Sequence, residues 1–204
     1  PTWAGVDPET GVDTYYVDGE GSEITTNYGE AERVYQGTSA LPSITGGLNL
    51  HIDYKGFFLD VSGYYAGGHQ IYESWHLYLN QPNLYATAFY NGYDSLMDRW
   101  QQPGDQTRVA KSIFGGEPWR YNSKFLHDGD YFRLRNLTVG FDFNPMMVDA
   151  MGVDSARLFV RGTNLYTWVK DDNLQHDPEV DASGYTSITT PPVKSVVLGI
   201  NLKL

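Results

Sequence analysis

The last ten residues, Ser195-Val-Val-Leu-Gly-Ile-Asn-Leu-Lys-Leu204, alternate apolar with small or polar side chains. Val196, Leu198, Ile200, Leu202 and Leu204 fall on one face of an extended strand, and Val197, Gly199, Asn201 and Lys203 on the other. A period of two gives each face of a strand its own surroundings. Two architectures use a strand that is greasy on one side and polar on the other. One is the wall of a membrane β-barrel, apolar outside and polar inside. The other is a sheet of a soluble β-sandwich. On this segment alone the two readings stand level.

The same pattern returns at 44–66. Ile44, Leu48, Leu50, Ile52 and Tyr54 share a face, while Thr45, Gly47, Asn49, His51 and Asp53 share the other. Lys55-Gly56 fits a two-residue turn, with glycine supplying a positive φ. The returning strand places Phe57, Leu59, Val61, Gly63 and Tyr65 opposite Asp60, Ser62 and Tyr64. A second hairpin is expected over 131–169. Phe132 and Leu134 lead an apolar face that slips by one residue and resumes at Leu137, Val139, Phe141 and Phe143, which reads as a β-bulge near Arg135-Asn136. Pro145 with Met146, Met147, Val148 and Met151 fits about one helical turn in the connection. The next strand sets Leu158, Val160, Tyr166 and Trp168 against Arg157, Arg161, Thr163 and Thr167, with Phe159, Asn164 and Leu165 breaking the pattern.

Elsewhere no strand period is sustained. Long loops are expected at about 18–42, 67–130 and 170–192, with short helices at 70–80 and 93–101. Connections are therefore short at 55–56 and 144–155 and long at the opposite strand ends, an asymmetry typical of outer-membrane barrels. No run of about 18 apolar residues is present to form a membrane-spanning helix. A mean hydropathy of -0.42 does not exclude a membrane barrel, because lumen-facing residues dilute the signal. The net charge of -11 argues against nucleic acid as a partner. Much of the acid sits in the aperiodic stretches, where solvated loops are its simplest role. Zero cysteine excludes disulfides and thiolate metal sites.

Several segments, taken in order, resemble the SusC/RagA family of TonB-dependent outer-membrane transporters. They are Gly5-Val-Asp-Pro-Glu-Thr-Gly11 with Tyr15-Tyr16, Leu41-Pro-Ser-Ile-Thr-Gly-Gly47 with Asp53-Tyr-Lys-Gly-Phe57, and Ser123-Lys-Phe-Leu-His-Asp-Gly-Asp-Tyr-Phe-Arg-Leu-Arg-Asn136 running into Leu137-Thr-Val-Gly140. Arg157–Val160 leading into Gly162-Thr-Asn-Leu-Tyr-Thr-Trp168, then Asp177-Pro-Glu-Val180, complete the series. The resemblance implies an all-β fold: residues 1–204 as the C-terminal strands of a transmembrane antiparallel barrel of about 22 strands with long extracellular loops. Family members are several times longer and carry a TonB-contacting segment and a plug domain, so the chain is expected to be a fragment. Its last residue, Leu204, departs from the aromatic that usually ends the family.

The role implied is uptake of oligosaccharides or oligopeptides across the bacterial outer membrane, under a SusD-like lipoprotein lid, driven through TonB, among outer-membrane lipid and lipopolysaccharide. No enzymatic activity and no cofactor are expected. Rings stack on sugar faces and pack peptides, which makes Trp75, Tyr78, Tyr90, Tyr93, Trp100 and Trp119 the candidate ligand contacts, with packing of the loop itself as the alternative. Asn49, His51, Asp53, Asp60, Arg157 and Arg161 are expected to face the lumen, where cross-strand and plug pairing is the simplest role. No metal site is expected; Asp171, Asp172, Asp177 and Glu179 offer oxygen ligands without the spacing of a calcium loop. A soluble carbohydrate-binding β-sandwich is the alternative reading, separable by whether the protein needs detergent.

Overall fold

A computed structural model describes residues 1–37, 39–75, 79, 91–113, 120–187 and 190–204. Two compact units emerge, one from 1–40, 70–127 and 180–188, the other from 41–69, 128–179 and 189–204. Each is built from several separated pieces of chain.

The second unit is an antiparallel sheet. In chain order the first unit contributes β1 (Trp3–Val6), β2 (Asp13–Tyr16) and β3 (Ile24–Thr25), and the sheet of the second opens with β4 (Ile44–Tyr54) and β5 (Phe57–Gly67). After β6 (Gln70–Tyr72) and β7 (Leu126–Asp128) the sheet resumes with β8 (Tyr131–Asp142), β9 (Ser155–Val169) and β10 (Ser195–Lys203), in the spatial order β10-β9-β8-β5-β4. Lengths of 9 to 15 residues suit a tilted strand crossing a bilayer, which takes about 9–11.

The turn between β4 and β5 has both central residues at positive φ, Lys55 at 50° and Gly56 at 89°. That is the twist a two-residue hairpin requires, and it fixes Tyr54 opposite Phe57 and Ile44 opposite Gly67. The connection from β8 to β9 holds the helix α1 (Pro145–Met151). Asn144 caps it by accepting from the Met147 amide, Pro145 occupies its first turn, and Gly152 ends it at φ 72°. Both elements were legible in the sequence.

The bulge expected near Arg135-Asn136 is present. Ser62 pairs with Asn136 and Gly63 with Leu134, which leaves Arg135 extra on β8. On the other side Leu134 pairs with Tyr166 and Asn136 with Thr163, so Arg135 stands opposite both Asn164 and Leu165. Asn164 adopts φ 51° there, a conformation asparagine tolerates better than most side chains. The broken pattern at Asn164 and Leu165 is therefore the β9 side of the same irregularity.

The first unit corrects two expectations. Residues 3–25, aperiodic in sequence, form the β1-β2-β3 sheet, and 70–72 is a strand pairing with β7 rather than the start of a helix. Strands of two to four residues are too short for alternation to register. Backbone bonds from Tyr72 N to Gly184 O (2.8 Å) and from Thr186 N to Tyr72 O (3.0 Å) bring 184–186 alongside β6. The helix expected at 93–101 is a 3-10 turn, Asp94–Asp98; most of 76–90 lies outside the described residues.

The core of this unit gathers Ile71, Phe125 and Tyr15 with the buried polar side chains Glu73, His127 and Lys124. His127 Nε2 lies 3.3 Å from Glu73 Oε2. Lys124 Nζ reaches Asp13 Oδ1 at 2.9 Å, and the Trp3 indole donates to the same oxygen at 2.8 Å. Burial holds the Lys124 ammonium below its ordinary lysine value, with Asp13 opposing the shift.

Candidate functional site

The register sorts the five-stranded sheet into two chemically distinct faces. Across the apolar face run the rows Ile52–Leu59–Val139–Val160–Leu198 and Leu50–Val61–Leu137–Gly162–Val196. Rings bracket these rows. At the hairpin end stand Tyr54, Phe57 and Phe141, with Phe57 and Phe141 centroids 4.7 Å apart. At the far end stand Tyr65, Phe132 and Trp168, in register on three neighbouring strands. Eight residues separate Phe57 from Tyr65, roughly 26 Å along a strand. Much of this face is bare: Leu198 is 70% exposed, Leu48 57% and Leu50 47%. An apolar patch of this extent does not persist in water and marks a surface that meets lipid or protein.

All six side chains expected to face the lumen lie on the opposite, polar face. His51 is gripped on both ring nitrogens, Nδ1 at 2.5 Å from Asp60 and Nε2 at 2.5 Å from Asp53. Arg157 donates two bonds to Asp142, at 2.5 and 2.7 Å. Arg161 donates to Thr138 at 3.2 Å. Asn49 is paired in register with Ser62, whose hydroxyl accepts from Asn136 at 3.2 Å. These are cross-strand contacts on one face.

Two features of this face escaped the sequence. The first is an apolar row inside the polar side, Phe58–Gly140–Phe159–Gly199, in register on four strands. Rings alternate with glycines because each ring lies over the bare backbone beside it: a Cβ on Gly140 would meet Phe58, and one on Gly199 would meet Phe159, at 2.4 Å. The second is a clamp at the bulge. Arg133, 1% exposed, donates to both carboxylate oxygens of Asp177 at 2.6 and 2.7 Å and lies 3.3 Å from Glu179. Arg135 reaches Glu179 at 2.6 Å. The bulge turns Arg135 toward the side of the sheet occupied by Arg133, and the pair straps the chain at 177–179.

That clamp bears on the oxygen ligands noted in the sequence. Asp177 and Glu179 have their charge met by arginine, and Asp171 accepts from the backbone and side chain of Asn173, both at 2.9 Å. Among the described residues no cluster of three or more His, Cys, Asp or Glu is arranged to hold a metal ion.

Of the six candidate rings, Tyr78, Tyr90 and Trp119 lie outside the described residues. Trp75 is half-buried and its carbonyl accepts from the Leu79 amide at 3.0 Å. Tyr93 is half-buried, and burial, assisted by the Glu73 charge, pushes its phenol above the ordinary tyrosine value. Trp100 packs within its own unit: its indole donates to Pro8 O at 2.8 Å, and its ring closes on Gly11. A different group of rings forms an open surface in the first unit. Tyr72 lies 5.8 Å from Tyr121 and 5.5 Å from Tyr185, centroid to centroid, and Tyr121 and Tyr185 are exposed. Tyr72 and Tyr121 also line a cleft of about 300 Å³. Nothing in the sequence order joins 72, 121 and 185; the bridge between β6 and 184–186 sets Tyr185 beside Tyr72, and the bond from Glu73 N to Phe125 O (2.8 Å), where β6 meets β7, brings the chain at 121–125 alongside.

No family model matches the chain. It is 27% identical over 198 residues to TonB-dependent receptor P3 of Formosa agariphila, covering 92% of this chain and 18% of that protein. Receptor P26 of the same organism is 28% identical over 184 residues, covering 80% of this chain and 17% of that protein. The chain thus spans under a fifth of the length of these curated relatives. Among solved structures, it matches a chain of the RagAB peptide transporter with a TM-score of 0.77 at 23% identity, covering 98% of this chain and 22% of that one. A RagAB peptide importer in a closed-closed state matches with a TM-score of 0.76 at 25% identity, covering 98% and 22%. The resemblance read from the sequence is borne out: nearly the whole chain is similar to part of a TonB-dependent receptor of the SusC/RagA kind, and its all-β fold matches about a fifth of a RagAB chain.

Proposed function

We propose that the chain is the C-terminal portion of the barrel of a SusC/RagA-like importer in the bacterial outer membrane. The full protein takes up oligopeptides or oligosaccharides with a SusD-like surface lipoprotein and draws energy through TonB. The observation that carries this reading is the two-faced sheet. Its exposed apolar rows, bracketed by rings at both ends, have the composition of a lipid-facing wall. Its other face carries the paired ions and amides of an aqueous lumen.

In this reading Asn49, His51, Asp53, Asp60, Arg157 and Arg161 line the lumen and serve the wall and the plug. The long connections belong to the extracellular side, where Trp75, Tyr78, Tyr90, Tyr93, Trp100 and Trp119 are candidate contacts for ligand or lipoprotein. The relatives support the importer role by being TonB-dependent receptors, and the RagAB match supports a peptide as one ligand class.

Peptide mapping by mass spectrometry of the detergent-extracted native complex tests the proposal. Peptides from a plug upstream of Pro1, with a co-purifying lipoprotein, are the expected result. A species of only these 204 residues that dissolves without detergent would overturn the reading and put the carbohydrate-binding β-sandwich first.

A further inference from the structure

We propose that the connection from β9 to β10 folds into the mouth of the barrel and narrows it, with Arg133 and Arg135 as the residues that hold it there. The inference rests on the importer reading and names the element that sets how bulky a ligand the mouth admits.

Depth along the strands places the clamp. The row Tyr65–Phe132–Trp168 marks the far ring girdle of the apolar face, and the row Tyr64–Arg133–Thr167 stands one residue deeper on the polar face. Strand β9 ends at Val169, opposite Tyr131. The chain leaves the sheet there, yet Asp177 returns to accept from Arg133 at 2.6 and 2.7 Å. A connection that ran straight out into solvent would carry this carboxylate away from the sheet. Instead the segment doubles back toward the level of Thr167. Arg135, the extra residue of the bulge and opposite Asn164 and Leu165, is rooted deeper still and reaches Glu179 at 2.6 Å.

Both guanidinium groups lie on the polar side, so the returned segment covers the lumen face. Tyr131 and Tyr64 floor the clamp, with Arg133 Cζ 5.8 Å from the Tyr131 centroid and Arg135 Cζ 5.6 Å from that of Tyr64. The held segment is itself stiff. Pro178 is buried with its φ fixed, and the Glu179 amide donates to Asp177 at 2.9 Å. The returning limb is tied to the same irregularity of the sheet: the Asn164 side chain donates to Val193 O at 3.4 Å, just before β10 begins. The connection is thus fastened to the wall on its way out and on its way back. Two guanidinium groups meet two carboxylates, so the charges of the clamp cancel and what the segment adds to the mouth is bulk. Such an element selects by size, since passage depends on the diameter left open.

The test uses the full-length receptor carrying Thr163→Cys, a polar-face position paired with Asn136 and so deeper than the clamp. Intact cells are treated from outside with maleimides bearing polyethylene glycol chains of increasing length, and labelling is counted above that of the parent receptor. The longest reagent that reacts measures the mouth. With the clamp intact, short reagents are expected to label the cysteine and long ones to fail. Arg133→Ala combined with Arg135→Ala should shift that limit to longer reagents. Labelling by the longest reagent with the clamp intact, or a limit indifferent to the loss of both arginines, would overturn the constriction. The first of these outcomes needs no clamp variant to fold, so the inference stays refutable if the double alanine fails to assemble. Heat-modifiable migration of the same receptor reports whether it is a folded barrel, so failure of the constriction is distinguishable from failure of the importer reading.

Discussion

The ring of Phe58 rests on Gly140, its register partner across the β5–β8 ladder: a Cβ built on Gly140 would lie 2.4 Å from Cε1 and Cζ of the ring and 2.6 Å from the Leu158 carbonyl oxygen. On the same ring Arg157 places its Cζ 4.4 Å from the centroid, while Asp142 holds the guanidinium. A bare backbone, a ring and an ion pair are thus stacked in order on the polar face. Gly140→Ala should destabilise the folded full-length barrel by about 1–3 kcal/mol, as overpacking does, because backbone as well as ring blocks the new methyl. Gly46→Ala, where nothing lies within 4 Å, should change nothing measurable. Urea unfolding of the two variants side by side decides this; equal midpoints would show that the ring shifts freely.

Leu50 and Asn49 are adjacent on β4 but belong to opposite faces. An arginine facing lipid near mid-bilayer costs about 2–4 kcal/mol, whereas a lumen position carries no such penalty. Leu50→Arg in the full-length protein should therefore lose that stability in vesicles, and Asn49→Arg should fold as the wild type. Equal losses would mean that the apolar face does not meet lipid.

The sheet was legible because long strands repeat one rule many times. In β4, β5 and β10 nearly every residue votes for the same face, and Lys55-Gly56 allows only one tight turn. At Arg135 the phase slip was visible in β8, since Leu134 and Leu137 cannot share a face without an extra residue. Its β9 counterpart showed only as disorder in the pattern, because Asn164 and Leu165 carry no conformational signature as clear as glycine. The short strands β1, β2, β3 and β6 were not legible, since two to four residues cannot establish a period. The clamp of Arg133 on Asp177 and the cluster of Tyr72, Tyr121 and Tyr185 join distant segments, and only tertiary pairing brings them together.

Arg133 is buried against Asp177, which is itself only partly covered. Removing one partner of such a pair leaves the other charge without compensation, at a cost of about 3 kcal/mol, the lower end for a buried pair. Arg133→Ala in the full-length protein should also free the strapped segment at 177–179. Faster proteolytic cleavage within 170–180 is the expected signature. Arg133→Lys should rescue it incompletely, because one ammonium cannot reproduce the guanidinium fork that spans Asp177 and Glu179. Unchanged cleavage in Arg133→Ala would show that the strap is held by other means.

Asp130 just precedes β8, accepts from the Gly68 amide at 2.6 Å, and has Lys170 Nζ at 3.4 Å; Tyr65, His69 and Asp128 complete its titratable surroundings. Burial alone would raise its carboxyl, but the Gly68 amide and the Lys170 ammonium bring it below the ordinary aspartate value. A depressed carboxyl contributes stability that is present above the unfolded value of about 3.9 and is lost as pH falls through the folded one. Burial likewise lowers His69, with Asp130 and Asp128 opposing, so its contribution is present above about pH 6.5 and is lost on further acidification. Lys170 is raised, chiefly by its hydrogen bond to Asp128, and its contribution is lost only as pH climbs beyond about 10.4. Acid unfolding of the full-length protein should therefore show two limbs, one beginning near pH 6.5 and one below about pH 4. Asp130→Asn should flatten the lower limb, and His69→Gln the upper. Persistence of the full lower limb in Asp130→Asn would assign that acid sensitivity to other carboxylates.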